Sequence, residues 1–120
     1  MSRKTLVLGA SAKAGRFSMF AIKKLVKHNI EVVAIGSRTA EIEGITIHCH
    51  PIILDDIHTV TLYLNPKRQE QYLDYIIGLK PKRIIFNPGT ENPSLLKLAR
   101  KNGIETVYGC TLVMLNDGSY

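Results

Sequence analysis

Hydrophobic positions along the chain fall into two alternating patterns. Short runs rich in apolar and β-branched residues, typical of buried parallel strands, occupy residues 5–8, 30–35, 59–64, 82–86 and 104–108. Between several of them, apolar residues spaced three or four apart predict amphipathic helices over about 18–28, 66–77 and 93–102. Asn-Pro pairs at 65–66 and 92–93 supply the cap and first position of two of these helices. This alternation predicts an α/β fold of three layers, in which helices cover both faces of a five-stranded parallel sheet.

Two stretches interrupt this regular alternation. The residues between the second and third runs, 36–58, show no clear helical spacing, so we expect an irregular crossover with a short extended piece at 45–47. The small apolar tail at 109–115 is too short for periodicity to decide between a helix and a loop.

The turn after the first strand has the composition of a phosphate-binding loop. Gly9 follows the apolar run directly, and a helix begins near Phe17 or Ser18. The free N–H groups and positive dipole end of such a helix favour a phosphate, and a glycine allows close approach to the backbone. The predicted site residues here are Gly9, Ala10, Ser11, Lys13, Arg16, Phe17 and Ser18. The dinucleotide fingerprint is incomplete, because Ser11 stands where G-x-G-x-x-G has its second glycine.

Three further loops follow predicted strands and should reach the same crevice. Ser37 and Arg38 come after the second strand, where an acidic residue would bind the ribose of NAD and an arginine suits a phosphorylated ribose. Arg38 therefore favours NADP over NAD and fits CoA equally well, since CoA also carries a ribose phosphate. Asn65 follows the third strand, and Asn87, Pro88 and Gly89 follow the fourth.

Composition limits the classes of partner. The net charge of +6 suits an anionic ligand, but the basic residues are scattered and form no stripe for nucleic acid. No apolar run approaches the roughly 20 residues of a membrane span. We expect one domain over residues 1–120, no signal peptide and, with only two cysteines, a cytoplasmic protein with reduced thiols.

The segment His48-Cys49-His50 resembles a metal cluster at first sight. A zinc site needs three or four ligands, and no second pair lies at suitable spacing, so no metal is expected. The roles of these residues and of Cys110 are left open.

Three segments together resemble a known family: VLGASAKAGRFS at 7–18, FNPGTEN at 86–92 and GIETVYGCTL at 103–112. The chain is similar to the small, single-domain CoA-binding proteins, Rossmann-type relatives of the CoA-binding domain of succinyl-CoA synthetase α subunits. The resemblance implies the sheet order 3-2-1-4-5, a crevice shared by the loops after strands one and four, and CoA or an acyl-CoA as ligand. The segments AIGSRTAE at 34–41 and 45–58 depart from the family pattern.

The loops expected at the crevice contain no carboxylate and no histidine. The assumed topology puts His28, His48, His50 and His58 away from it. We therefore expect non-catalytic binding of CoA or an acyl-CoA by a sensor, carrier or regulator, with any protein partner unknown. The alternatives are an NADP-binding redox protein and a protein-interaction module without ligand.

Overall fold

The centre of the molecule is one seven-stranded sheet in the computed structural model, which describes residues 3–120. The strands are β1 (Thr5–Ala10), β2 (Val32–Gly36), β3 (Ala40–Ile42), β4 (Ile45–His48), β5 (Thr59–Leu62), β6 (Arg83–Phe86) and β7 (Glu105–Tyr108). Their order is β3-β4-β2-β1-β5-β6-β7. All neighbours pair in parallel except β3 and β4, which form an antiparallel hairpin. The mixed α/β, Rossmann-like class is therefore as predicted.

The predicted five strands in the order 3-2-1-4-5 are wrong. Residues 40–48 form two strands that turn at Glu43 and Gly44, which both have positive φ (52° and 79°). The extended piece expected at 45–47 is present as β4, but its pairing with a further strand, β3, was not predicted. β4 takes the place beside β2 that the prediction gave to residues 59–64. β5 pairs with β1 instead, with Leu6 opposite Val60. Strands of three and four residues are too short for their hydrophobic pattern to separate them from a loop.

Five helices connect and cover the strands of residues 3–120. They are α1 (Phe17–Lys27), α2 (Pro66–Gln69), α3 (Leu73–Gly78), α4 (Pro93–Lys101) and α5 (Thr111–Asp117), with a 3₁₀ turn at Glu70–Tyr72. Both predicted caps are confirmed: Asn65 Oδ1 accepts from Arg68 N at 2.9 Å, and Asn92 Oδ1 accepts from Leu95 N at 3.2 Å. The 3₁₀ turn divides the helix predicted over 66–77. None of the described helices is long and apolar enough to cross a membrane.

Two hydrophobic clusters lie on opposite faces of the sheet. Along β1, Leu6 and Leu8 face one cluster while Val7 faces the other, as strand alternation requires. The first cluster includes residues of α3 and α4, and the second includes residues of α1 and α5. Helices therefore cover both faces, and the loops that remain accessible are those at the strand ends.

Gly9 brings the end of β1 against the end of β5. Its φ is 96°, and a Cβ atom there would lie 2.8 Å from the carbonyl carbon of Tyr63 and 2.9 Å from its oxygen. A side chain at position 9 would therefore clash with the backbone of Tyr63. The expectation was that Gly9 lets a ligand approach the backbone; in the structure it lets the end of β5 approach instead. Gly15, at φ 83°, has open space around its Cβ position.

We predict that Gly9→Ala destabilises the protein more than Gly15→Ala. Left-handed backbone strain should lower the free energy of unfolding by about 1–2 kcal/mol in each variant. The clash with Tyr63 should cost Gly9→Ala a further 1–3 kcal/mol, roughly the penalty of overpacking. Urea unfolding measures both values; equal losses would contradict the close contact as the reason for Gly9.

Candidate nucleotide-binding site

A crevice of about 340 Å³ opens at the carboxyl edge of the sheet. The loops after β1, β2, β5 and β6 form its walls. Most predicted site residues line it: Gly9, Ala10, Ser11, Arg16, Phe17, Ser18, Ser37, Asn65, Pro88 and Gly89. This edge is where open α/β sheets place their ligands.

The N-terminus of α1 opens onto this crevice. Arg16 is extended at the cap position and provides no side-chain cap, and the first turn contains no acidic residue. Met19 N donates to Arg16 O at 3.1 Å, so the backbone N–H groups of Phe17 and Ser18, together with the helix dipole, are the ones available to an anion. Arg16, Phe17 and Ser18 of this helix start all line the crevice.

Two serine hydroxyls shape the loop before α1. Ser11 N donates to Ser18 Oγ at 3.1 Å, and Lys13 N donates to Ser11 Oγ at 3.1 Å. The buried Ser18 hydroxyl thus holds the loop against the first turn of the helix. The loop conformation is fixed by the chain's own hydrogen bonds, which lowers the ordering cost of binding.

Positive charge surrounds two adjoining pockets. Arg16 and Arg68 line the crevice, while Lys13 and Arg38 line a neighbouring pocket of about 460 Å³, which we call the side pocket. The side pocket shares Ala10, Ser11, Arg16 and Ser37 with the crevice. No carboxylate lines either pocket in the described chain, although Glu91 Oε1 accepts from Gly89 N at 2.9 Å beside the crevice. The lining suits an anionic ligand with more than one phosphate.

Asn87 lies outside both basic pockets. It is buried, and its Nδ2 donates to Thr61 Oγ1 at 2.7 Å and to Leu62 O at 2.8 Å. Its Oδ1 accepts from Thr111 N at 2.9 Å. The amide is therefore engaged within the protein, and Asn87 serves to hold β5, β6 and the start of α5 together.

An apolar pocket of about 150 Å³ adjoins the crevice. Its lining residues are Phe17, Tyr63, Asn87, Pro88, Cys110 and Leu112, of which Phe17, Tyr63 and Pro88 also line the crevice. Burial raises the pKa of Tyr63 to about 12, although side-chain hydrogen bonds with Thr111 and Thr61 act in the opposite direction. The Tyr63 phenol therefore stays protonated at neutral pH and is no general base there.

Sequence reasoning expected Thr90 in a loop of the crevice, as found, but missed three wall residues: Tyr63, Leu64 and Arg68. Tyr63 and Leu64 belong to the apolar run that predicted a strand, but β5 ends at Leu62. The two residues therefore lie in the loop at the carboxyl edge, where ligand contacts collect.

Gln69 links two walls of the crevice and was also missed. It is fully buried, and its Nε2 donates to Leu64 O and to Thr90 O, both at 2.8 Å. Its Oε1 accepts from Asn92 Nδ2 at 2.9 Å. A single amide thus fixes the loop after β5 relative to the loop after β6.

The histidines do not all lie where the assumed topology put them. His48 ends β4, opposite Ile35 of the parallel strand β2, so the segment 48–50 lies at the same edge as the crevice. The reason is the hairpin, which turns β4 parallel to β2. His58 does precede β5 at the opposite edge, where its backbone N donates to Lys4 O at 2.9 Å.

Cys49 lies close to the side pocket. Hydrogen bonds with His50 and Thr39 lower the pKa of its exposed thiol, and Thr39 lines the side pocket.

Within residues 3–120, no group of three or more His, Cys, Asp or Glu side chains is placed to hold a metal ion.

The mainly parallel sheet, the crevice at its carboxyl edge and the open N-terminus of α1 are typical of a Rossmann-like nucleotide-binding fold. The sequence model of a family described as a CoA binding domain matches residues 3–116, and the chain belongs to that family. The family resemblance inferred from the sequence is therefore confirmed.

Several solved structures share the fold of this chain. The crystal structure of an uncharacterized protein is 44% identical, with a TM-score of 0.96 over 100% of this chain and 99% of that one. A conserved hypothetical protein from Pyrococcus furiosus is 25% identical, with a TM-score of 0.80 over 92% and 97% of the two chains. A hypothetical protein from Pyrococcus horikoshii OT3, 24% identical over 98% and 83% of the chains with a TM-score of 0.85, shares the fold. No curated protein matches the chain.

We predict that Gln69→Met destabilises the protein while Gln71→Met does not. Methionine preserves the length of the side chain but leaves Leu64 O, Thr90 O and Asn92 Nδ2 without their partner, each at a cost of about 1–3 kcal/mol when buried. Gln71 is exposed in the adjoining 3₁₀ turn and serves as the matched control. Denaturant unfolding measures both; a loss below about 1 kcal/mol for Gln69→Met would contradict the linking role.

Proposed function

We propose that this protein binds CoA or an acyl-CoA, with the diphosphate at the N-terminus of α1. The single observation that carries the proposal is the uncapped helix start facing the crevice in a member of the CoA-binding family. The backbone N–H groups of Phe17 and Ser18, which have no partner within the described part of the chain, would donate to the diphosphate oxygens. Arg16 and Arg68 line the same crevice and would balance the negative charge.

The adenosine end of CoA would then occupy the side pocket. Lys13 and Arg38 line it, and both side chains are exposed, so they can reach a phosphate on the ribose. NADP carries a ribose phosphate as well, so Arg38 alone does not choose between the two ligands. The family and the missing second glycine of the dinucleotide fingerprint both favour CoA.

The protein acts, in this proposal, without catalysis, as a sensor, carrier or regulator. The crevice lining contains no carboxylate, histidine or cysteine, and the phenol of Tyr63 is held protonated by a pKa of about 12. General acid–base chemistry needs a group that can exchange a proton near neutral pH within hydrogen-bond reach of the reacting atom. Cys49 and His50 lie at the same edge but line none of the three pockets. Cys110 lines the apolar pocket, but no histidine or carboxylate of the described chain shares that lining to act as its base.

Thermal unfolding with CoA, acetyl-CoA, NADP and NAD tests the proposal. CoA and acetyl-CoA should stabilise the protein by about 2.7 kcal/mol at a ligand concentration one hundred times Kd, while NAD has no effect. Stabilisation by NADP alone would contradict CoA binding and would support an NADP-binding redox protein instead. No effect of any of the four would support a module without ligand.

A variant pair locates the ribose phosphate in the same assay. Arg38→Ala should weaken the binding of CoA by about 1.5 kcal/mol, roughly tenfold in Kd. The affinity for dephospho-CoA should stay unchanged. Arg100→Ala removes an equal charge from the last turn of α4 and should change neither affinity. Equal losses for both ligands in Arg38→Ala would contradict a direct contact.

We predict that the purified protein does not turn over acyl-CoA. Incubation with acetyl-CoA and longer acyl-CoAs, with and without ATP, should release free CoA no faster than buffer, because no proton-transfer group lines the crevice. The assay follows free thiol. Turnover that persists through purification and disappears in Cys49→Ser or His48→Ala would contradict the non-catalytic proposal and assign chemistry to the segment at the end of β4.

A further inference from the structure

The apolar pocket adjoins the crevice but differs from it chemically. Phe17, Tyr63 and Pro88 line both spaces, so these three residues form the boundary at which the two pockets meet. Beyond them the lining is Asn87, Cys110 and Leu112, with no charged side chain. A ligand held by its phosphates in the crevice would therefore present an uncharged end here.

The polar groups of this pocket carry no charge. The Asn87 amide is engaged by Thr61, Leu62 and Thr111, and Thr61 Oγ1 lies 2.7 Å from Thr111 Oγ1. Burial raises the pKa of the Tyr63 phenol to about 12, so it stays neutral. A carboxylate entering the pocket would lose its water and meet no cation in the lining that the structure describes, which is costly.

We propose that the apolar pocket holds the thioester end of a short-chain, uncharged acyl-CoA. This inference rests on the CoA binding proposed above and adds a class of acyl group to it. A CoA molecule with its diphosphate at α1 has an uncharged pantetheine arm on one side and the nucleotide on the other. Because the side pocket is basic, the nucleotide belongs there, and the arm would run the other way along the crevice and bring its thioester end to the apolar pocket.

The size of the pocket limits the acyl chain. A cavity of about 150 Å³ accommodates a group the size of benzene. That volume admits the thioester with roughly two to four acyl carbons, and a longer chain must extend past Phe17 into solvent. Phe17 is 69% exposed, so it forms the outer edge of the pocket rather than a closed wall.

A series of acyl-CoAs tests both size and charge. Butyryl-CoA should bind about tenfold more tightly than acetyl-CoA, from roughly fourfold for each buried methylene, and octanoyl-CoA should gain nothing further. Succinyl-CoA, which has the same chain length as butyryl-CoA and a terminal carboxylate, should bind at least about tenfold more weakly than butyryl-CoA. Affinity that keeps rising through octanoyl-CoA, or equal affinity for butyryl-CoA and succinyl-CoA, would overturn the proposal.

Variants of α5 provide a matched comparison. Leu112→Trp should fill the pocket and weaken the binding of butyryl-CoA at least about tenfold. The affinity for the isolated adenosine bisphosphate portion of CoA should not fall. The neighbouring Val113 is 56% exposed and lines no part of the pocket, so Val113→Trp should change neither affinity. Unchanged binding of butyryl-CoA to a folded Leu112→Trp protein would overturn the proposal.

Cys110 reports occupancy in the unaltered protein. Saturating butyryl-CoA should slow alkylation of Cys110 by iodoacetamide at least about tenfold, because the acyl group would cover a thiol that lines the pocket. The adenosine bisphosphate portion alone should leave that rate unchanged. If butyryl-CoA stabilises the protein but does not protect Cys110, the acyl site is wrong and CoA binding stands; if no CoA thioester stabilises the protein, the proposed function itself fails.

Discussion

The pairing of β1 between β2 and β5 is the constraint on which the site depends. Because these strands are parallel, the loops that follow them leave the sheet at one edge. The close contact of Gly9 with the backbone of Tyr63 brings the first of these loops directly against the wall formed after β5. The position of α1, and with it the direction of its N-terminus, follows from this contact and from the packing of Ile22 and Leu25 beneath it.

Buried amides then fix the loops that the sheet has brought together. Gln69 joins the loops after β5 and β6, and Asn87 joins the end of β6 to α5. Such groups are stabilising only while every partner is satisfied, and in this region the hydrogen bonds form a continuous set. A crevice walled in this way is organised before any ligand arrives, so binding energy is not spent on ordering the loops.

The sequence was most informative where a local pattern is tied to local chemistry. The apolar runs located the five strands that were predicted. The Asn65-Pro66 and Asn92-Pro93 pairs located two helix starts, because capping depends on residues only a few positions apart. The β3–β4 hairpin was missed because its short strands carry little periodicity, and that omission displaced β5 and moved His48 to the wrong edge. Two partners of Gln69, Thr90 and Asn92, are 21 and 23 residues away in the sequence and come close to it only in the fold. No local sequence pattern therefore predicts the linking role of Gln69.

The central claim is that the N-terminus of α1 receives the phosphates of the ligand. Amide-resolved NMR titration with CoA tests it most directly, because each backbone N–H reports its own surroundings. The account predicts that the largest shifts fall on residues 9–18 and 37–39, with residues 80–82 and 102–104 at the opposite edge unaffected. Saturable binding with the largest shifts at residues 80–82 or 102–104, and none in the first turn of α1, would contradict it.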